Sequence, residues 1–414
     1  MRGLIGFGLL ALTPVAVLAQ QAAPQSQAVV DRYVAQKTVP GAVVLIGRDD
    51  KITVVKAGRI AQAPNAPLAD ENSLWRVYSM TKPITGIAAM ILIEEGKIGL
   101  DQPISDFIPA FKDMKVLVDP AKGLESRPAV RPITVRNLLT HTAGLGYVLP
   151  GNTGPLVDEY TRLGINPAQV NPQMEVQMRA ARPATLEEFA NRTASTPLIA
   201  DPGAKFSYSI GLDVLGRVIE VASGMPFDSF VNTRIFKPLR MNASYWTVPA
   251  DKAGILATNY LGALPIDAGA TSVYLQKPSF PYGGAGLVMS AVDYDRFLHM
   301  LANGGALDGA RILKPETVRL AMSNLLPQTA DLSILNAMTK DSGVPMGFGA
   351  GGSVYLADKP GGPGAGTFGW GGAAGTIGWV DPKHHLRATG MINIFGDTAF
   401  KRDVNQAVYA DFSQ

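Results

Sequence analysis

Apolar residues follow two textures along this chain. Gly41-Ala-Val-Val-Leu-Ile-Gly and Ile52-Thr-Val-Val-Lys-Ala-Gly are β-branched runs separated by Arg48-Asp-Asp-Lys, which predicts a hairpin. A second hairpin is predicted from Thr376-Ile-Gly-Trp-Val and Leu386-Arg-Ala-Thr-Gly-Met-Ile-Asn-Ile, joined by the turn Asp381-Pro-Lys-His. Helical spacing runs instead through 28–36, through 79–95 up to Gly96, and through 133–140, 185–193, 211–223, 291–303, 315–323 and 399–412. Between about 97 and 283, helical pieces alternate with loops rich in Pro and Gly, and strand signals are few.

Strands thus gather at the two ends of the chain, with a helical block between them. The economical arrangement is an α+β fold. Residues 28–96 and 284–414 form one antiparallel β-sheet flanked by helices, and 97–283 form an inserted, mainly helical domain. Residues 20–27 (QQAAPQSQ) read as a polar linker. Before them, Arg2 and the uncharged apolar run from Gly3 to Leu18 have the form of a secretory signal peptide over 1–19, with small residues at Val17-Leu18-Ala19 for cleavage. The run is too short for a comfortable membrane span, so no stable membrane anchor is expected after cleavage.

Composition narrows the possibilities. A chain of 414 residues with 47% hydrophobic and 17% charged residues can bury a large core. The formal charge of +3, about +2 without Arg2, comes without a Lys/Arg run, which leaves nucleic acid no electrostatic footprint. The absence of cysteine rules out disulfides, thiolate catalysis and a lipid-anchored leader. Export without disulfides suggests a bacterial periplasmic or secreted protein. Nothing in the composition bears on oligomeric state.

The candidate chemistry begins at Ser79-Met80-Thr81-Lys82, where S-x-x-K occurs once. Residues three apart share a helix face, so Lys82 can reach the hydroxyl of Ser79, which is inert until something accepts its proton. A solvated helix start with Ser79 as a cap explains the same four residues. The surroundings decide between the two. The four histidines suit structural or solvated positions better than a base role: His141 follows a helix, His299 lies in one, and His384 and His385 sit in a turn. No G-x-S-x-G elbow, no metal-binding histidine pattern and no phosphate loop is present, so neither metal nor organic cofactor is expected. Tyr208 lies on a turn just before an apolar helix, and an ammonium nearby would favour its phenolate, making it a second candidate base. Phe368-Gly-Trp370-Gly371-Gly372-Ala373 reads as a glycine-opened strand able to present an amide N–H to an oxyanion.

In this order, S-x-x-K, L-L-T-H-T-A-G-L, P-G-x-x-F-x-Y-S, G-x-G-L-V-M-S and W-G-G, the chain resembles the serine β-lactamase-like superfamily over roughly residues 28–412. That group includes class C β-lactamases, D,D-peptidases and family VIII carboxylesterases, and its fold is an antiparallel sheet domain with an inserted helical domain. The resemblance implies Ser79 as the acyl-accepting nucleophile, Lys82 as its electrostatic partner or co-base, and Tyr208 as the base. It implies an oxyanion hole from the backbone N–H groups of Ser79 and Ala373, and a substrate-binding strand at Trp370, Gly371 and Gly372.

Two departures narrow the expected substrate. Class C β-lactamases carry Tyr-x-Asn where this chain has Tyr208-Ser209-Ile210, and Lys-Thr-Gly where it has Trp370-Gly371-Gly372. Ile210 cannot hydrogen-bond an amide, and Trp370 lacks the cation that would pair with a carboxylate. Both changes suit small uncharged esters, so the expected activity is that of a carboxylesterase on short acyl or aryl esters. A β-lactamase or peptide hydrolase, and a non-catalytic protein that kept the fold, are the alternatives. Residues 147–182 are expected to line one wall of the cleft.

Overall fold

The computed structural model describes residues 22–148 and 151–412; the signal peptide read over 1–19 lies outside them. The first long apolar run becomes β1 (Gly41–Arg48), paired with β2 (Lys51–Gly58). The C-terminal strands are β3 (Met346–Phe348), β4 (Ser353–Tyr355), β5 (Phe368–Gly371), β6 (Ile377–Asp381) and β7 (Leu386–Met391). All seven form one antiparallel sheet in the order β3-β4-β5-β6-β7-β1-β2. The two ends of the chain meet where Val44 on β1 sits opposite Gly390 on β7 and Val55 on β2. Because β1 is an interior strand covered on both faces, its apolar residues run continuously instead of alternating, and Gly41 to Gly47 are all buried.

Helices cover both faces. On the outer face α1 (Pro24–Ala35) and α5 (Ala399–Phe412) pack together, and Val30, Tyr33, Val404 and Val408 meet Ala42, Val44 and Ile46. On the inner face lie α2 (Thr81–Glu94) and α4 (Ala291–Ala302), which meet Val43 and Leu45. Helix α2 is buried all round from Thr81 to Leu92, as its apolar composition requires. It ends at Glu94, two residues before Gly96, whose φ of +68° fits the left-handed end of a helix. Its far side packs on α3 (Gly211–Ser223) of the helical block.

That block also contains short helices, including Val135–Leu139 and Leu186–Ala194, and two strand pairs: Lys115–Leu117 with Ser126–Pro128, and Asn259–Leu261 with Leu264–Asp267. A three-stranded sheet, with Val288–Ser290 between Leu74–Arg76 and Ser244–Tyr245, ties the block to the terminal segments. One hydrophobic cluster runs from Val43 through α2 to Leu215 and Phe230, so the core crosses the seam without a break.

One boundary needs correction. The linker read over 20–27 ends early, because α1 begins at Pro24. Proline is tolerated in a first helical turn, and the free amides of Gln25 and Ser26 donate to the Asp411 carboxylate at 2.9 and 2.8 Å. This cap comes from the opposite end of the chain and leaves no local signature in QQAAPQSQ.

Candidate active site

Ser79 sits in a tight turn, Tyr78–Met80, that runs directly into α2. Tyr78 has φ +41°, a conformation that costs a non-glycine residue energy. Its ring is buried edge-on against Tyr274 and Phe395, and its hydroxyl accepts from Asn259 Nδ2 at 3.0 Å. Packing of the preceding side chain thus holds the strained turn that presents Ser79 at the start of a helix, where developing negative charge is favoured.

Lys82, one turn on, is wholly buried. An isolated buried ammonium is costly, and the partners here are specific. Nζ donates to Ser79 Oγ at 3.2 Å and to the Gly284 carbonyl at 2.8 Å, and it lies 4.6 Å from the Tyr208 ring centre and 5.6 Å from that of Tyr147. The Tyr208 hydroxyl also donates to Ser79 Oγ, at 2.8 Å. Trp370 Nε1 in turn donates to the Tyr208 oxygen at 3.1 Å. Ammonium and indole N–H both stabilise negative charge developing on that oxygen. Ser79, Lys82, Tyr208 and Trp370 therefore meet in one hydrogen-bonded set, although they come from three segments far apart in the sequence.

The strand residues are equally close. Glycine at 372 is a steric requirement, because a Cβ there would lie 2.3 Å from the Val77 carbonyl oxygen, beside the Ser79 turn. Gly371 and Ala373 line the same cleft as Ser79 and Tyr208. Ile210 is fully buried and does not line the cleft. The histidines stay out of this set. His141 is buried with Nδ1 3.1 Å from Ser209 Oγ, and burial together with the Lys82 charge holds it well below the usual histidine range. His384 binds Asp381, and His385 is largely exposed beside Asp49.

Two groups given no role by sequence reasoning belong to this neighbourhood. Asp213, on the first turn of α3, is fully buried; its Oδ1 accepts from the Gly284 N–H at 2.8 Å, while Oδ2 has no partner among the described residues. Burial pushes its carboxyl up to about 7, with the Lys82 ammonium and the Gly284 N–H pulling the other way. Gly284 thus links the two charges, donating to Asp213 and accepting from Lys82, and a Cβ there would lie 2.6 Å from Asp213 Oδ2. The link from Asp213 to the lysine runs through Gly284, 71 residues away, and leaves no signal at position 213. Lys401, on the closing helix, is the second such group: it lines the cleft and donates to the Gly372 carbonyl at 2.7 Å.

The cleft has a volume of about 1070 Å³. One wall comes from Tyr147, Val148, Asn166, Val170 and Met174, within the segment expected to supply it. The Asn259–Leu261/Leu264–Asp267 hairpin contributes Leu261 and Ile266, and Met338 adds a further apolar side. A pocket with apolar walls and a few convergent polar groups at its base has the general form of a small-molecule site. Its base offers a serine oxygen held between an ammonium and a phenol, beside backbone amides, which is an arrangement suited to acyl transfer.

Comparison with known proteins agrees with this chemistry. The profile of the family described as Beta-lactamase matches residues 27–411. Protein Rv1367c of Mycobacterium tuberculosis is 32% identical over 356 residues, covering 84% of each chain. Esterase EstB of Burkholderia gladioli is 30% identical over 403 residues, covering 92% of this chain and 91% of its own. Among solved structures, EstCE1, described as a hydrolase with promiscuous acyltransferase activity, superposes with a TM-score of 0.74 at 28% identity, covering 94% of this chain and 98% of its own.

Proposed function

The chain belongs to the Beta-lactamase family of serine hydrolases, and from that premise we propose an exported carboxylesterase that works through an acyl-serine at Ser79. The observation that carries this reading is the placement of Ser79 Oγ between Lys82 Nζ at 3.2 Å and the Tyr208 hydroxyl at 2.8 Å. Tyr208, as phenolate, takes the serine proton while Oγ attacks the ester carbonyl. The Lys82 ammonium stabilises the phenolate, whose charge passes to the oxyanion as Oγ attacks and returns to the phenol oxygen when the leaving group is protonated. The backbone N–H groups of Ser79 and Ala373 hold the oxyanion. Tyr208 then gives its proton to the departing alkoxide, and water attacks the acyl-serine along the same path in reverse.

Esters are favoured over β-lactams and peptides because Trp370 replaces the cation of the strand and Ile210 lies in the core. The esterase among the relatives supports the same choice. Short acyl or aryl esters are the substrates we propose, and the cleft volume accommodates an alcohol portion larger than a nitrophenol. Export rests on Arg2 and the apolar run before Val17-Leu18-Ala19. A second reading, transfer of the acyl group to an alcohol instead of water, is supported by the apolar walls and by the description of EstCE1.

The decisive experiment assays wild type and Ser79→Ala on p-nitrophenyl esters beside a chromogenic cephalosporin, with and without an added alcohol, and follows Ser79 acylation by intact mass. Ester turnover with an acyl adduct that the variant lacks is the expected result. Turnover of the cephalosporin in preference to the esters would make the protein a β-lactamase, and new ester product with added alcohol would establish transfer. Full esterase activity in Ser79→Ala would overturn the mechanism.

A further inference from the structure

Lys401 lies in the first turn of α5, where a cation faces the positive end of the helix and gains nothing for helix stability. Its side chain leaves the helix for the cleft, and the hydrogen bond it makes there goes to the Gly372 carbonyl at 2.7 Å. That carbonyl belongs to the same peptide unit as the Ala373 N–H. The unit is trans, so its C=O and N–H point in opposite directions. A donor on the carbonyl therefore approaches from behind the N–H and leaves it free to face an oxyanion.

The surrounding contacts pin this peptide. The Gly375 N–H also donates to Gly372 O, at 3.2 Å, so both lone pairs of the carbonyl are engaged. The next carbonyl, of Ala373, accepts from Gly396 N at 2.7 Å. No backbone acceptor among the described residues takes the Ala373 N–H. Glycines make the approach possible: a Cβ at Gly371 would lie 3.0 Å from Lys401 Nζ, and one at Gly372 would strike Val77 beside the Ser79 turn.

We propose that Lys401 is a positioning residue for acyl transfer, its ammonium holding and polarising the Gly372–Ala373 peptide from the carbonyl side so that the Ala373 N–H is aimed and strengthened as an oxyanion donor. Hydrogen bonds in a chain polarise one another, and a charged donor does so most. This role rests on the reading of Ser79 as nucleophile and of Ala373 as oxyanion donor. Burial holds Lys401 down to about 8, opposed by the Asp397 carboxylate, whose Oδ1 also accepts from the Phe400 N–H. Of the other charged groups at this end of α5, Arg402 pairs with Asp403, while β5 and the turn 372–375 bring no titratable side chain. The ammonium, and with it the polarisation, is lost as pH rises through about 8.

The test measures kcat and KM for wild type, Lys401→Met, Lys401→Arg and Ser79→Ala on p-nitrophenyl acetate and on an ester bearing a free carboxylate. Losing a whole oxyanion donor costs about 10²–10³-fold in kcat, so removing its brace should cost about 10-fold. That loss is expected on both esters with KM nearly unchanged, and Lys401→Arg should recover most of it. Between about pH 7 and pH 9 the arginine variant should also gain on wild type, because its charge persists. If Lys401→Met proves unstable in thermal melts, the pH comparison of wild type with Lys401→Arg decides alone, and a constant ratio overturns the role. A wild-type kcat in Lys401→Met, or a KM rise confined to the acidic ester, would also overturn it, the latter making Lys401 an anion receptor. An inactive Ser79→Ala beside an unimpaired Lys401→Met refutes only the brace; an active Ser79→Ala refutes the mechanism beneath it.

Discussion

The base of the cleft and its walls are built on opposite principles. At the base most polar groups are shared. Ser79 Oγ serves Lys82 and Tyr208, Tyr208 also serves Trp370, and Gly284 serves Lys82 and Asp213. The side chains lie in or beside α2, α3 and β5, elements anchored in the main core, and Gly284 comes from the loop before Val288–Ser290. The walls are short helices, loops and a hairpin that include apolar side chains open to solvent, such as Leu261 at 56% and Met338 at 47% exposure. A shared network tolerates no deletion without stranding a partner, whereas an open wall loses only the area it contributed. Chemistry is thus written into the rigid core and selectivity into its rim.

The largest test of that contrast is Tyr208→Phe. The ring still packs beside Trp370, 5.7 Å away between centres, so the fold is kept while Ser79 loses its proposed proton acceptor. General-base loss predicts a fall in kcat of about 10³-fold with KM little changed, measured by steady-state ester hydrolysis. A loss below 10-fold would transfer the base role to Lys82.

Next comes Asp213→Asn, which probes stability. Unfolded, the carboxyl loses its proton near 3.8; folded, near 7. Between these values the native chain holds a proton that the unfolded chain has released, so this group makes stability fall as pH rises from about 4 to 7. The asparagine variant lacks that slope. Urea melts at the two pH values should show wild type losing a few kcal/mol relative to the variant across the interval. Equal slopes would mean that Asp213 ionises normally in the core. A smaller effect attends Trp370→Phe, which removes the N–H on Tyr208 but keeps an aromatic wall: one hydrogen bond to a developing charge predicts about 10-fold lower kcat.

The two regions also differ in how much of them the sequence discloses. Helix α2, the β1–β2 and β6–β7 hairpins and the closing helix were legible because their apolar spacing is local. Ser79, Lys82, Tyr208 and the Trp370 strand were legible as motifs in a fixed order, and the structure brings them together. What escaped depends on contacts between distant segments. The start of α1 is capped by Asp411, Asp213 meets Lys82 only through Gly284, and Lys401 finds Gly372 across the cleft. The Trp370 substitution was legible as a lost cation but not as a gained donor to Tyr208, because a side chain's partner is not encoded at its own position.

The smallest predicted effect lies at the rim, where Leu261→Ser tests whether the walls act only through area. Leu261 lies at the end of the strand Asn259–Leu261, lines the cleft and is more than half exposed, so its replacement strands no buried partner and should leave the melting temperature nearly unchanged. A substrate with a large apolar alcohol portion loses part of one leucine contact, which predicts KM rising about 3-fold with kcat held. A small acetate ester, which stays near Ser79, should show neither change. A fall in kcat on both esters would mean that the hairpin reaches the chemistry, through Asp267 and its buried pairing with Arg76 just before the Ser79 turn. That outcome would erase the division between a rigid chemical base and a tolerant selective rim.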